Sequence, residues 1–218
     1  MTITDTWAQI IAASSNGTYA TKYNVGDTAY LEINNTNYMM QLVAKNADDK
    51  VSGGTANMTW ILKTTYGTHK MSTDMTGGWE SSDPNSMRNW LHNTVLGLLP
   101  AALQAEGAIK EVNKTYWDAT ANDNAGALKT SHDKIWIPSS REMCLTGTYL
   151  KETSGVQYSD IFSNDRTKIM FNGVNGSTTT YWVRSALSSA GWVAINSSGN
   201  GTSVSFNSTC DVVFGFCI

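Results

Sequence analysis

Three histidines, three cysteines and a few short carboxylate clusters are the side chains here that could carry chemistry, and their spacing argues against most of it. His69, His92 and His132 form no H-E-x-x-H pair and have no cluster of carboxylates beside them, so surface or packing roles are expected rather than a metal centre. A serine nucleophile would need surroundings such as G-x-S-x-G, which the chain lacks. Cys144 with His132 upstream could form a thiol and imidazole pair, but no family signature surrounds it. Gly77-Gly78-Trp79-Glu80 lacks the lysine of a phosphate loop and reads as a turn carrying a buried tryptophan. Asn46-Ala47-Asp48-Asp49 offers oxygen ligands without the spaced acids and glycine of a calcium loop, so a solvated turn is expected. The chain is therefore expected to have no catalytic residue, no metal and no cofactor.

Composition narrows the partners. Of 218 residues, 41% are apolar and only 15% charged, with a net charge of −3. One core of useful size is within reach, and no linker or charge run divides residues 1–218, which predicts a single domain. Nucleic acid is not an expected partner, because phosphate recognition needs clustered Lys and Arg. No apolar run approaches a membrane span, and the start Met1-Thr-Ile-Thr-Asp-Thr-Trp7 is unlike a secretory signal, so no membrane insertion is expected. Cys144, Cys210 and Cys217 are an odd set without C-x-x-C spacing, expected as buried small hydrophobes rather than a disulfide framework. Eight Trp and nine Tyr in a charge-poor chain are typical of recognition modules.

The elements that must position any site can be read from periodicity. Trp7, Ile10 and Ile11 behind Asp5/Thr6 predict a helix ended by Gly17, and Thr28 to Val43 predicts a hairpin about Asn34-Asn35. A strand over Met58–Leu62 follows. Helices are predicted after Asp83-Pro84 and after Pro100, then a strand over Ile109–Tyr116 and a polar loop from Asp118 to Lys129. Lys134 to Pro138 reads as a buried strand, and Ser139 with Glu142 as a capping box opening a short helix. Strands are predicted over Thr167–Phe171, Tyr181–Arg184, Trp192–Asn196, Thr202–Phe206 and Val212–Phe216, together forming a C-terminal antiparallel sheet. The fold class is α+β, with Trp79, Trp90, Trp136 and Trp182 largely buried.

The end of the chain is compositionally distinct. From Tyr181 to Ile218 there is no Lys, Glu, Gln, Met, His or Pro, although the earlier chain uses all six. A polar edge sheet of short side chains explains part of this, since turns and strand ends favour Asn, Ser and Gly.

Motifs in order along nearly the whole chain resemble an uncharacterised domain family of gut bacteria and their phages. They are Thr6-Trp7-Ala8-Gln9-Ile10-Ile11, Tyr23-Asn-Val-Gly-Asp27, Gly77-Gly78-Trp79-Glu80-Ser81-Ser82 with Met87-Arg88-Asn89-Trp90-Leu91, Leu99-Pro100 with Val112-Asn-Lys114, Asp133 to Glu142, Tyr181-Trp-Val-Arg-Ser185, and Gly215-Phe-Cys-Ile218. Some members resemble the variable proteins of diversity-generating retroelements, among them phage receptor-binding proteins of the major tropism determinant type. That resemblance implies a C-type-lectin-like fold whose C-terminal face is mutated at the adenines of Asn-type codons, which cannot yield Lys, Glu, Gln, Met or Trp. Trp182, Trp192 and Arg184 would then be framework. The implied variable, ligand-binding positions within 181–218 are Leu187, Ser188, Ala190, Gly191, Val193, Ala194, Thr202, Ser203, Val204, Ser205, Asn207, Ser208 and Cys210. Asp211 and Phe214 depart from the usual family ending, where Gly and Pro are commoner. The resemblance implies a non-catalytic binding protein on a phage particle or bacterial surface, with a host-surface protein or glycan as partner. Alternatives are an enzyme on the related formylglycine-generating fold, using a reactive cysteine such as Cys210 or Cys217 with a metal, and a structural tail or capsid module.

Overall fold

A computed structural model of the chain describes residues 1–73, 78–119, 126–173, 176–188 and 191–218. Thr6 opens the first helix as its sequence predicts: its hydroxyl accepts from the Gln9 amide, its own amide donates to the Gln9 side chain, and α1 runs Trp7–Ser15. A single turn, α2 (Tyr19–Lys22), leads into β1 (Thr28–Ile33) and β2 (Thr36–Lys45). Asn34 and Asn35 take φ of 51° and 60°, the left-handed pair a two-residue hairpin turn requires. Then come β3 (Met58–Leu62), β4 (Thr64–Thr65) and β5 (Thr68–Lys70).

Ser86 caps α3 (Met87–Trp90), which continues as a π turn over Leu91–Val95 and a 3-10 turn over Leu96–Leu98. After α4 (Ala101–Gln104), β6 (Val112–Asp118) and β7 (Ala127–Asp133) form a hairpin. The polar loop expected over Asp118–Lys129 is thus shorter, with strand from Ala127; residues 120–125 lie outside the described ones, as does Gly77 of the glycine turn. The chain goes on through β8 (Ile135–Trp136), α5 (Asp165–Lys168), β9 (Phe171–Asn172), β10 (Tyr181–Ala186), β11 (Gly191–Ile195), β12 (Gly201–Ser205), β13 (Thr209–Asp211) and β14 (Gly215–Cys217).

Two expectations are corrected. Thr167 and Lys168 lie in a helix, because Asn164 caps it by accepting from the Thr167 amide; strand begins only at Phe171. The Ser139 and Glu142 box makes both reciprocal bonds, yet no helix follows, because Cys144 turns to φ 51°.

The class is α+β, mostly sheet with short helices. One five-stranded sheet has the order β1-β2-β3-β14-β8 and the other β12-β11-β10-β13-β5. The second sheet is mixed rather than purely antiparallel, since β10 and β13 pair in parallel. β14 leaves it and lies between β3 and β8, so the C-terminus laces the sheets together. One apolar cluster runs from Ile3 to Ile218. Trp79, Trp136 and Trp182 are buried in it; Trp90 is half-buried, stacked on His69 at 4.4 Å and on Tyr66 at 6.1 Å. Among the described residues no helix is long and apolar enough to cross a membrane.

Candidate functional site

The C-terminal segment separates into an outward and an inward set. Ser188, Ser203, Ser205 and Asn207 are exposed, and Leu187, Thr202, Val204 and Ser208 half-buried, around edge strand β12 and the turns beside it. Gly191, Val193, Ala194 and Cys210 are buried, which removes them from the outward face implied above. The cause is sheet position: β11 lies between β10 and β12 with all five of its residues buried, and Cys210 lies on β13, between β10 and β5. Ala190 lies outside the described residues. The outward face is therefore narrower than the segment that encodes it.

Two strands in from the β12 edge, β10 carries a framework of buried polar bonds. Trp182 donates its indole N–H to the His69 carbonyl at 2.8 Å, tying β10 to β5. Arg184, fully buried, donates through Nε to the Thr115 carbonyl at 2.9 Å and through Nη1 to the Ile137 carbonyl at 2.6 Å and Glu142 Oε2 at 2.7 Å. Glu142 Oε1 accepts from Lys114 Nζ at 3.1 Å, and the same ammonium donates to Asp48 and to Tyr158 Oη and sits 3.8 Å from the Trp136 ring centre. Thr59 and Tyr158 donate to Asp48 as well. Asp48 is thus 1% exposed rather than part of a solvated turn. Two buried cations balance two buried carboxylates, with hydrogen bonds closing most of the remaining valences.

Electrostatics follow from that balance. Burial opposes ionisation of Glu142, but the Arg184 and Lys114 charges outweigh it and hold its carboxyl down at about 2. Burial likewise opposes ionisation of Asp133, and His92, Arg88 and Ser131 override it, keeping its carboxyl far below the ordinary range. Groups depressed in the folded state contribute stability above their unfolded pKa, lost as pH falls toward the folded value. The thermal midpoint is therefore expected to fall between about pH 4.5 and pH 2 as Glu142 protonates. Glu142→Gln, measured over the same acid titration, should start lower at pH 7 and lose less on acidification. An unchanged acid slope in that variant would contradict the assignment.

A family comparison bears on the same residues. A model of a family described as a domain of unknown function, DUF6273, matches residues 56–218, about three-quarters of the chain. The chain belongs to the DUF6273 family. No curated protein and no solved structure matches it. The DUF6273 match begins two residues before β3, yet β1 and β2 outside it complete that strand's sheet.

Within the DUF6273 segment, a second cluster gathers motif residues far apart in sequence. Asp133 accepts from Trp79 Nε1 at 3.1 Å, Arg88 Nε at 2.7 Å and the Ser131 hydroxyl. His92, carried by the π turn, places Nε2 3.3 Å from Asp133 and 3.0 Å from the Ile135 carbonyl. His92 also lines a cleft of about 330 Å³ with Lys134, Glu106 and Gln104. Burial pushes Cys144, Cys210 and Cys217 up, Cys210 to about 11. Among the described residues no three His, Cys, Asp or Glu side chains are grouped to hold a metal.

Sequence reasoning missed two features. A shallow cleft of about 370 Å³ is lined by Thr68, Thr178, Thr179, Thr180, Ser197, Thr209, Cys210 and Asp211, bringing an N-terminal strand to the C-terminal face. The run Thr178-Thr179-Thr180 was the available signal. The Lys114 network was the other: β6 buries alternate residues Val112, Lys114, Tyr116 and Asp118, so a lysine on the apolar phase of a strand marked a buried cation.

Proposed function

We propose that this DUF6273 protein is a non-catalytic recognition domain of C-type-lectin-like fold, a variable protein of the diversity-generating retroelement kind carried on a phage particle or bacterial surface. Its partner is a host-surface protein or glycan. The observation that carries the reading is the division within residues 181–218: Trp182, Arg184, Trp192 and Val193 are buried, while Ser203, Ser205 and Asn207 a few residues on stand in solvent. A backbone held from below tolerates side-chain change above, which is what a diversified face requires. The outward residues are uncharged, suiting a shallow contact rather than a deep pocket.

The test is a variant carrying Leu187→Ala, Ser203→Tyr and Asn207→Tyr, compared with the parent on a glycan array and a panel of purified host-surface proteins. The partner profile should change while stability moves by about half a kcal/mol or less at exposed Ser203 and Asn207, the usual effect of exposed substitutions, and by about 1–2 kcal/mol at half-buried Leu187. An unchanged profile, or binding that maps to the β1–β2 hairpin, would refute the reading.

A further inference from the structure

The two sheets present four edges, and three are blunted. β1 is covered at Thr28 by the N-terminal residues, with Ile3 N–H donating to the Thr28 carbonyl at 2.7 Å, and at Tyr30 by the Trp7 indole, which donates to its carbonyl at 3.0 Å. β8 is two residues long, and the Ile135 carbonyl is engaged by His92. β5 is three residues long, contains Lys70 and gives its His69 carbonyl to Trp182. β12 differs. It runs five residues, Gly-Thr-Ser-Val-Ser, without a charge, a proline or a register shift against β11. Such an edge is a ready template for another strand, and proteins ordinarily protect it.

The hairpin register fixes which amides face outward. Asn196 N–H donates to the Asn200 carbonyl at 2.9 Å, making that pair a hydrogen-bonded one. Pairs alternate along an antiparallel ladder, so Thr202 opposite Ala194 and Val204 opposite Trp192 turn their main-chain groups to β11. Gly201, Ser203 and Ser205 turn theirs away; of these, the Ser205 carbonyl accepts from Ser208 N–H at 2.9 Å. Half-buried Val204, on this strand, and Phe206, directly after it, offer apolar contacts to side chains on an added strand.

We propose that β12 captures an extended polypeptide segment by strand addition, main chain to main chain at Gly201, Ser203 and Ser205. This rests on the reading of the C-terminal face as the binding face and makes its ligand a polypeptide rather than a glycan. Apolar side chains two residues apart on the segment would meet Val204 and Phe206, with no charge required. A second folded copy fits less well: a five-residue edge about 17 Å long and about 10 Å deep presents only about 170 Å² per copy, well short of the roughly 1,000 Å² in total that a stable interface between folded proteins needs.

The probe is a blocked peptide of sequence Gly-Thr-Ser-Val-Ser-Phe, uncharged and with apolar residues two apart, added to the full chain while amide hydrogen exchange is followed by NMR. Exchange at Ser203 and Ser205 should slow about tenfold or more at saturating peptide. The same peptide N-methylated at alternate amides should leave it unchanged. Ser203→Pro removes an outward N–H without touching the ladder to β11, and should abolish protection with an unaltered melting curve; the N-methylated peptide keeps the test decisive if that variant fails to fold. Unprotected Ser203 and Ser205 amides, protection elsewhere, equal protection by both peptides, or a dimer in sedimentation that protects Ser203 without peptide would each overturn the proposal. If the triple face variant changes partner profile while the peptide protects nothing, strand addition falls and the binding face stands; if that variant changes nothing, the binding face itself falls.

Discussion

Replacing Lys114 by methionine is expected to lower the unfolding free energy by about 3–5 kcal/mol, the usual result of removing one member of a buried ion pair. Lys114 is 1% exposed, and its ammonium serves Asp48, Glu142 and Tyr158 at once. Methionine fills similar space but leaves two carboxylates against one remaining cation, Arg184. The loss should appear as a lower urea midpoint with an unchanged slope, because the same surface is exposed on unfolding. Adding Asp48→Asn should recover part of the loss, since the two side chains are coupled and their effects are not additive. A midpoint shift worth less than about 1 kcal/mol would remove the network from the account of what holds the C-terminal face.

Trp182→Ala is the second large effect, expected at about 3–5 kcal/mol for a fully buried tryptophan. The ring fills core beneath the second sheet, and its N–H joins β10 to β5 across 113 residues of sequence. Trp182→Phe separates these contributions: most of the packing stays and the hydrogen bond goes, a loss nearer about 1 kcal/mol. Melting curves of both variants beside Ser203→Ala and Asn207→Ala check the division into framework and face. The face substitutions should move stability by about half a kcal/mol or less. A Trp182→Ala protein as stable as the face variants would contradict it.

Local chemistry was legible in the sequence and burial on two sides was not. The Thr6 cap, the Asn34-Asn35 turn and the Met58–Leu62 strand depend on neighbouring residues, and all three appear where their residue types place them. Thr167 was misread because a β-branched residue beside Ile169 mimics a strand, whereas the Asn164 side chain decides the local structure. The family resemblance counts Val193 and Ala194 with the variable face, because no local residue shows that their strand is central and covered on both sides. Asp48 looked solvated for the same reason: its partner Lys114 is 66 residues away, and pairing at that separation leaves no periodic trace. For the candidate site, the segment was legible from its missing residue types, while the exposed subset within it needed the sheet order.

The most direct test of the central claim is a saturation library of residues 181–218, sorted in one display experiment for resistance to protease and for binding to the partner found in the panel. The account predicts that Trp182, Arg184, Trp192, Val193 and Ala194 reject nearly all substitutions in the protease sort. Ser203, Ser205 and Asn207 should accept most of them there and lose or change binding. Binding losses confined to variants that also fail the protease sort, or spread evenly over outward and inward positions, would contradict it.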